Sequence, residues 1–132
     1  MPTQLTAEQV INSLLSADAG LKALVGVNIF QDVAHEGDEQ NWVTFFRVSN
    51  NRVTSMDGFD GLSEFRYQIN CWSGDSTKRN LMRDAILSIF SESLLPTVQG
   101  TEVHFQHVND QNEFEEGPPK RFGSRLDFMV WI

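Results

Sequence analysis

From Glu64 to Cys71 the side chains alternate without a break, with Phe65, Tyr67, Ile69 and Cys71 on one face and Glu64, Arg66, Gln68 and Asn70 on the other. Only an extended, half-buried segment explains a period of two, so the chain must build a sheet with a core face. Just before it stand two Asp-Gly pairs, Asp57-Gly58 and Asp60-Gly61. Their glycines suit turns that need positive φ, and this reading outweighs paired carboxylates or calcium ligands, because the further acids of an EF-hand loop are missing.

Two other stretches are strand-like but apolar on both faces. Residues 42–49 place Trp42, Phe46 and Val48 on one side and Val43 and Phe45 on the other. The final stretch from Phe122 to Ile132 places Leu126, Phe128, Val130 and Ile132 opposite Met129 and Trp131. A strand with one side in water does not read this way. Asn50-Asn51 is expected to turn the first of these into a hairpin, with residues 52–56 returning. A brief strand over 27–30 and another over 101–108 complete the set. Residues 31–41 and 109–121 read as polar loops.

The helices announce themselves by their caps. Thr6 and Gln9 have capping-box spacing ahead of the Val10, Ile11, Leu14, Leu15 stripe, which predicts a helix over 7–16. Asp18 caps a short second helix carrying Leu21, Leu24 and Val25, and Gly26 stops it. Asp75 caps the longest helix, whose apolar face is Leu81, Met82, Ala85, Ile86, Ile89 and Phe90. The expected fold is α+β: a mostly antiparallel four- to five-stranded sheet with a long helix and an N-terminal helical segment packed on it. So few helices can cover a doubly apolar sheet in two ways. They sit on opposite faces, or they share one face and a neighbouring subunit covers part of the other.

At 132 residues one domain over 1–132 is expected, with a single core. The formal net charge of -8 and the scattered basic residues argue against a nucleic-acid binder. No basic segment followed by an apolar run marks a signal peptide, and no apolar run reaches the length of a membrane span, so a soluble, cytoplasmic protein is expected. Cys71 is the single cysteine and falls on the core face of its strand, where a thiol behaves as a small hydrophobe. His104 and His107 are three apart, which on a strand puts them on opposite faces and unfits them to share a metal. His35 lies among acids in a polar loop, a solvated setting rather than a site. With no nucleophile elbow, phosphate loop or zinc spacing, the chain is read as non-enzymatic, without cofactor or metal. Glu113, Glu115 and Glu116, followed by Pro118-Pro119-Lys120-Arg121, form a charge-segregated loop that is either a solvated hairpin tip or a docking arm.

Three segments together resemble the tail-completion family of tailed bacteriophages, small proteins that terminate the tail tube and join it to the head. The first is Leu14-Leu15-Ser16-Ala17-Asp18-Ala19-Gly20-Leu21-Lys22-Ala23-Leu24-Val25-Gly26-Val27-Asn28-Ile29-Phe30. The second combines 43–49 with Met56-Asp57-Gly58 through Gln68-Ile69-Asn70-Cys71-Trp72. The third is the helix after Ser73 with the closing Arg125-Leu126-Asp127-Phe128-Met129-Val130-Trp131. Asn41 stands where such sequences often carry a proline. The resemblance implies a small α+β subunit, located in the tail or neck of a virion and assembled in the host cytoplasm. It implies a ring, often hexameric, contacting the tail-tube protein and the head connector. DNA would pass through without specific binding, helped by acidic walls that repel phosphates. No catalytic side chain is implied. The residues expected to meet a partner or a second subunit are Trp42, Phe46, Asn50, Asn51, Arg52, Asp57, Phe59, Asp60, Glu113, Phe114, Glu115, Glu116 and Trp131. The competing reading is a monomeric binding domain with an apolar pocket between the long helix and the sheet.

Overall fold

A computed structural model of the chain describes residues 6–26, 28–32, 41–51, 64–90, 97–98, 101–117 and 120–131. In chain order the elements are α1 (Ala7–Ala17), α2 (Ala19–Val25), β1 (Ile29–Gln31), β2 (Asn41–Asn51), β3 (Glu64–Ser73), α3 (Ser76–Ile89), β4 (Thr97–Val98), β5 (Thr101–Glu102), β6 (His104–Glu115) and β7 (Arg121–Trp131).

Each helix starts where its cap lies. The Thr6 hydroxyl accepts from the Gln9 backbone N–H at 3.2 Å, and the Gln9 side chain accepts from the Thr6 N–H at 2.9 Å, closing the capping box. The Asp18 carboxylate accepts from the Leu21 N–H at 2.8 Å, and the Asp75 carboxylate from the Thr77 N–H at 2.9 Å. Each such cap stabilises its helix by about 1 kcal/mol, because it satisfies an N–H with no intrahelical partner. Gly26 ends α2 at φ 60, a region that side chains disfavour.

The strands form one five-stranded sheet in the order β1-β2-β3-β7-β6, and β4 and β5 form a separate pair. Only β1 and β2 run parallel; the remaining neighbours in the main sheet are antiparallel. β3 is central, and β7 beside it is an interior strand, bonded to β3 and β6 along its length. Val43 and Phe45, Tyr67, Ile69 and Cys71, and Leu126, Phe128 and Val130 point to the helix side and are buried, as the alternation predicts. Against them lie Val10, Ile11 and Leu15 of α1, Leu21 and Val25 of α2, and Met82 and Ile86 of α3. Phe90, just past α3, contacts Phe105 and Phe128 at ring separations of 4.9 and 5.4 Å.

Of the two helix arrangements that the sequence leaves open, the structure has the helices on one face of the sheet, since one contiguous core holds the buried residues of all three. Several other expectations are corrected. Asn50 and Asn51 do not turn the chain; they continue β2, opposite Phe65 and Glu64. Most of the polar stretch 109–121 is strand, because β6 runs to Glu115 and β7 begins at Arg121. Its residues alternate poorly because this outer end of β6 is exposed on both faces. The strand expected over 101–108 is divided at Val103 into β5 and β6. Leu81 leaves the apolar face of α3 and is 53% exposed. The returning segment 52–56, the Asp-Gly turns and His35 lie outside the described residues.

Candidate interaction surface

With every helix on one side, the opposite face of the sheet presents Trp42, Thr44 and Phe46 of β2, Arg66, Gln68, Asn70 and Trp72 of β3, and Gly123, Arg125, Asp127, Met129 and Trp131 of β7. Register places Trp42, Trp72 and Gly123 side by side across three strands. The two indoles stack at 6.3 Å with 22° between planes, and the Arg121 guanidinium lies 5.0 Å from the Trp42 ring centre. The Trp72 ring extends over Gly123, close enough that a Cβ there would stand 2.6 Å from Cε3. Glycine in a strand interior often marks such a close approach.

In the middle of this face Arg66 donates to the Asp127 carboxylate at 3.0 Å, with Asp127 the more buried partner. Arg66 Nε and Asp127 Oδ1 are buried, and neither has a hydrogen-bond partner among the described residues. Gln68 donates to Asn70 at 3.0 Å, and Arg125 donates to Gln111 at 3.0 Å while lying 3.6 Å from the Glu113 carboxylate. The charges here are thus largely matched, in a chain whose formal net charge is -8. Met129 and Trp131, both partly buried, form a second apolar patch at the far end of β7.

Asn41 anchors the aromatic end. Its amide donates to the Leu24 carbonyl at 3.0 Å and accepts from the Ser73 hydroxyl at 2.6 Å, and its own carbonyl accepts from the Asn28 amide at 3.4 Å. The asparagine thereby ties the end of α2, the approach to β1 and the end of β3 at one point. Proline, with no amide side chain, could not make the first two bonds.

The residues expected to form the surface are distributed unevenly. Trp42 and Phe46 lie on the helix-free face at one end, and Trp131 lies on it at the other. Glu113 and Glu115 belong to β6, where Glu113 reaches Arg125 and Glu115 is opposite Arg121, while exposed Glu116 follows the strand. Phe114 points to the other side of the sheet, 51% exposed against Phe122 at a ring separation of 5.0 Å. Arg52, Asp57, Phe59 and Asp60 lie outside the described residues. Sequence reasoning put Arg66 on the outward face of its strand but counted neither it nor Trp72, Arg121, Gly123 and Asp127 among the interface residues. Gly123 inside a stretch read as strand was the available signal.

Catalytic chemistry finds little here. Burial pushes the Cys71 thiol up to about 12, the opposite of an activated nucleophile. Burial, and then the Glu8 carboxylate of α1, also raise the Tyr67 phenol well above its ordinary value. His104 and His107 share β6; His107 lies against Phe128, and His104, opposite Trp131, is on the other face. Among the described residues no group of three His, Cys, Asp or Glu side chains is placed to hold a metal ion, and no helix is long and apolar enough to cross a membrane.

The family described as Tail completion protein gp17 matches residues 9–132. The chain belongs to that family. As a tail completion protein it is a structural component of a phage-type tail. A chain from a structure described as "Virion of native gene transfer agent (GTA) particle" has the same fold, at TM-score 0.71 and 16% sequence identity, over 95% of this chain and 92% of that one. A search of curated protein sequences gave no match. The likeness in structure agrees with the α+β fold described above.

Proposed function

We propose that this tail completion protein acts without catalysis, as a single domain that assembles into a ring, closes the end of the tail tube and joins tail to head. The observation that carries the reading is the family match over residues 9–132. The sheet supports it. A face with paired indoles, a partly buried Met129 and Trp131, and buried unpartnered atoms on Arg66 and Asp127 has the composition of an interface, in which aromatic residues and arginine are enriched and buried polar atoms find partners.

In this reading the ring is hexameric, as the resemblance implies, and its partners are other copies of the chain, the tail-tube protein and the head connector. It resides at the tail or neck of the particle after assembly in the host cytoplasm. Trp42, Phe46 and Trp131 would contribute to contact surfaces on the sheet, and Glu113, Phe114, Glu115 and Glu116 to a docking edge at the β6–β7 hairpin. DNA passes the ring unbound, repelled by acidic groups. The competing pocket between long helix and sheet gains no support, because Met82, Ile86 and Phe90 fill that seam.

Electron microscopy of the purified protein, alone and mixed with tail tubes, tests the proposal. Rings in the first sample and tubes capped at one end in the second are expected. Monomers that leave every tube end bare would refute it.

A further inference from the structure

β6 is an outer strand of the main sheet, paired with β7 on one edge and with no strand on the other among the described residues. Past the irregularity between His107 and Asn109 it runs unbroken from Asn109 to Glu115, in register with β7 from Asp127 to Arg121. That run exceeds the roughly five to six residues of a typical strand. Its side chains are exposed on both sides of the sheet, Glu113 excepted. The contacts they make reach inward: Gln111 and Glu113 to Arg125, Asn112 to Arg83, and Phe114 to Phe122. Each of these partners belongs to β7 or α3, so none closes over the outer edge, where alternate N–H and C=O groups face outward.

The charge along this run has one sign. Asp110, Glu113 and Glu115 are its charged residues, Glu116 follows directly, and β6 contains neither lysine nor arginine. Asp110 and Glu115 form no ion pair among the described residues. Asp110 and Phe114 point to the helix side of the sheet, opposite Leu126 and Phe122, while Glu113 and Glu115 point to the helix-free side, opposite Gly123 and Arg121. Like charges set directly opposite destabilise a strand pair, and opposite charges stabilise it. The edge therefore disfavours a second β6 and favours a strand that carries cations. Among the described residues this chain has no open strand of that kind. β1 is uncharged, β4 and β5 carry only Glu102, β2 has Arg47 alone, and β3 and β7 are interior. The occupant that fits is a different protein and not a second copy.

We propose that residues 109–115 receive an extended segment of another particle protein as an added antiparallel strand, with lysine or arginine facing Asp110, Glu113 and Glu115 and an apolar residue facing Phe114. This rests on the reading of the β6–β7 hairpin as a docking edge and names the chemistry of what docks there. Backbone hydrogen bonds along the edge supply affinity, and the alternating side chains supply selectivity. The acids act twice: they keep the edge from joining copies of itself, and they draw the cationic strand. Phe114, 51% exposed, gives that strand its apolar contact.

The test follows amide exchange of the full chain, residue by residue, with the probe acetyl-Lys-Val-Lys-Thr-Thr-Lys-Thr-amide, whose order sets its lysines and valine opposite those four residues in antiparallel register. The same peptide with glutamate for lysine is the control. The lysine peptide should slow exchange at alternate residues of 109–115 by about threefold or more, and bind about tenfold or more tightly than the glutamate peptide at low salt. In a variant carrying Asp110→Lys, Glu113→Lys and Glu115→Lys the preference should invert. Equal binding of the two peptides, slowing confined to other residues, or no slowing overturns the strand pairing. Capping of tail tubes by that variant then separates the two readings. If the peptide fails and the variant no longer caps tubes that the natural chain caps, the hairpin docks by other means; if both cap equally, the docking-edge reading falls as well.

Discussion

Replacing Gly123 by alanine isolates the contact that shapes the helix-free face. An added Cβ would stand 2.6, 2.7 and 2.8 Å from Cε3, Cζ3 and Cδ2 of Trp72, where unstrained carbon atoms approach to about 3.5–4.0 Å. The indole must lift by about 1 Å, and it cannot do so alone, because it is stacked on Trp42, which Arg121 covers. Overpacking of this kind costs about 1–3 kcal/mol. Alanine recovers about 0.5–1 kcal/mol, since glycine loses more backbone freedom in a strand. The net expectation is a loss of about 1–2 kcal/mol, which lowers Tm by about 4–7 °C for a chain of this length, as followed by circular dichroism. A Trp72→Ala background removes the three atoms nearest the added methyl group, and the same substitution should there be neutral or stabilising. An equal loss in both backgrounds would refute the claim that the ring over Gly123 is the cause.

Asp75→Ala removes the acceptor for the Thr77 N–H and should cost about 1 kcal/mol in urea unfolding, with Asp75→Asn retaining most of the stability; identical midpoints for all three proteins would contradict the cap. Arg66→Ala leaves the largely buried Asp127 carboxylate without its cation and should cost about 1–3 kcal/mol, whereas Arg66→Ala with Asp127→Ala should cost less than Arg66→Ala alone; a larger loss in the double variant would count against the pair. Tyr67 and Cys71 are acids whose folded pKa values lie above the ordinary 10.0 and 9.0, so the folded state holds their protons more tightly. Their contribution is complete below those values and is lost as pH rises from about 9 toward 12, by up to about 1.4 kcal/mol per pH unit for each group. Cys71→Ala should flatten that alkaline decline, and an unchanged slope would show that the buried thiol does not drive it.

The helix starts were readable because Thr6 and Asp18 each combine a capping side chain with an apolar stripe that begins within four residues, and because Asp75 follows the Ser73-Gly74 break ahead of the stripe that begins near Met82. The alternation in β3 was equally plain, since one of its faces meets a core and the other does not. The extent of β6 was not readable, because residues 109–115 are exposed on both faces and neither side imposes a period. Asn50 and Asn51 look like a turn but complete a long strand, held there by their partners in β3. That the helices share one face was undecided from sequence, because doubly apolar strands do not say what covers each side. The aromatic end of the candidate surface depends on Arg121 and Gly123, and their meeting with Trp42 and Trp72 is set by register across three strands. No local pattern encodes that register.

Gold labelling of this protein in intact particles tests the central claim most directly. A structural tail-completion role predicts label concentrated at the junction of tail and head in otherwise complete particles. Label spread along the tube, or complete particles that carry none, would contradict it.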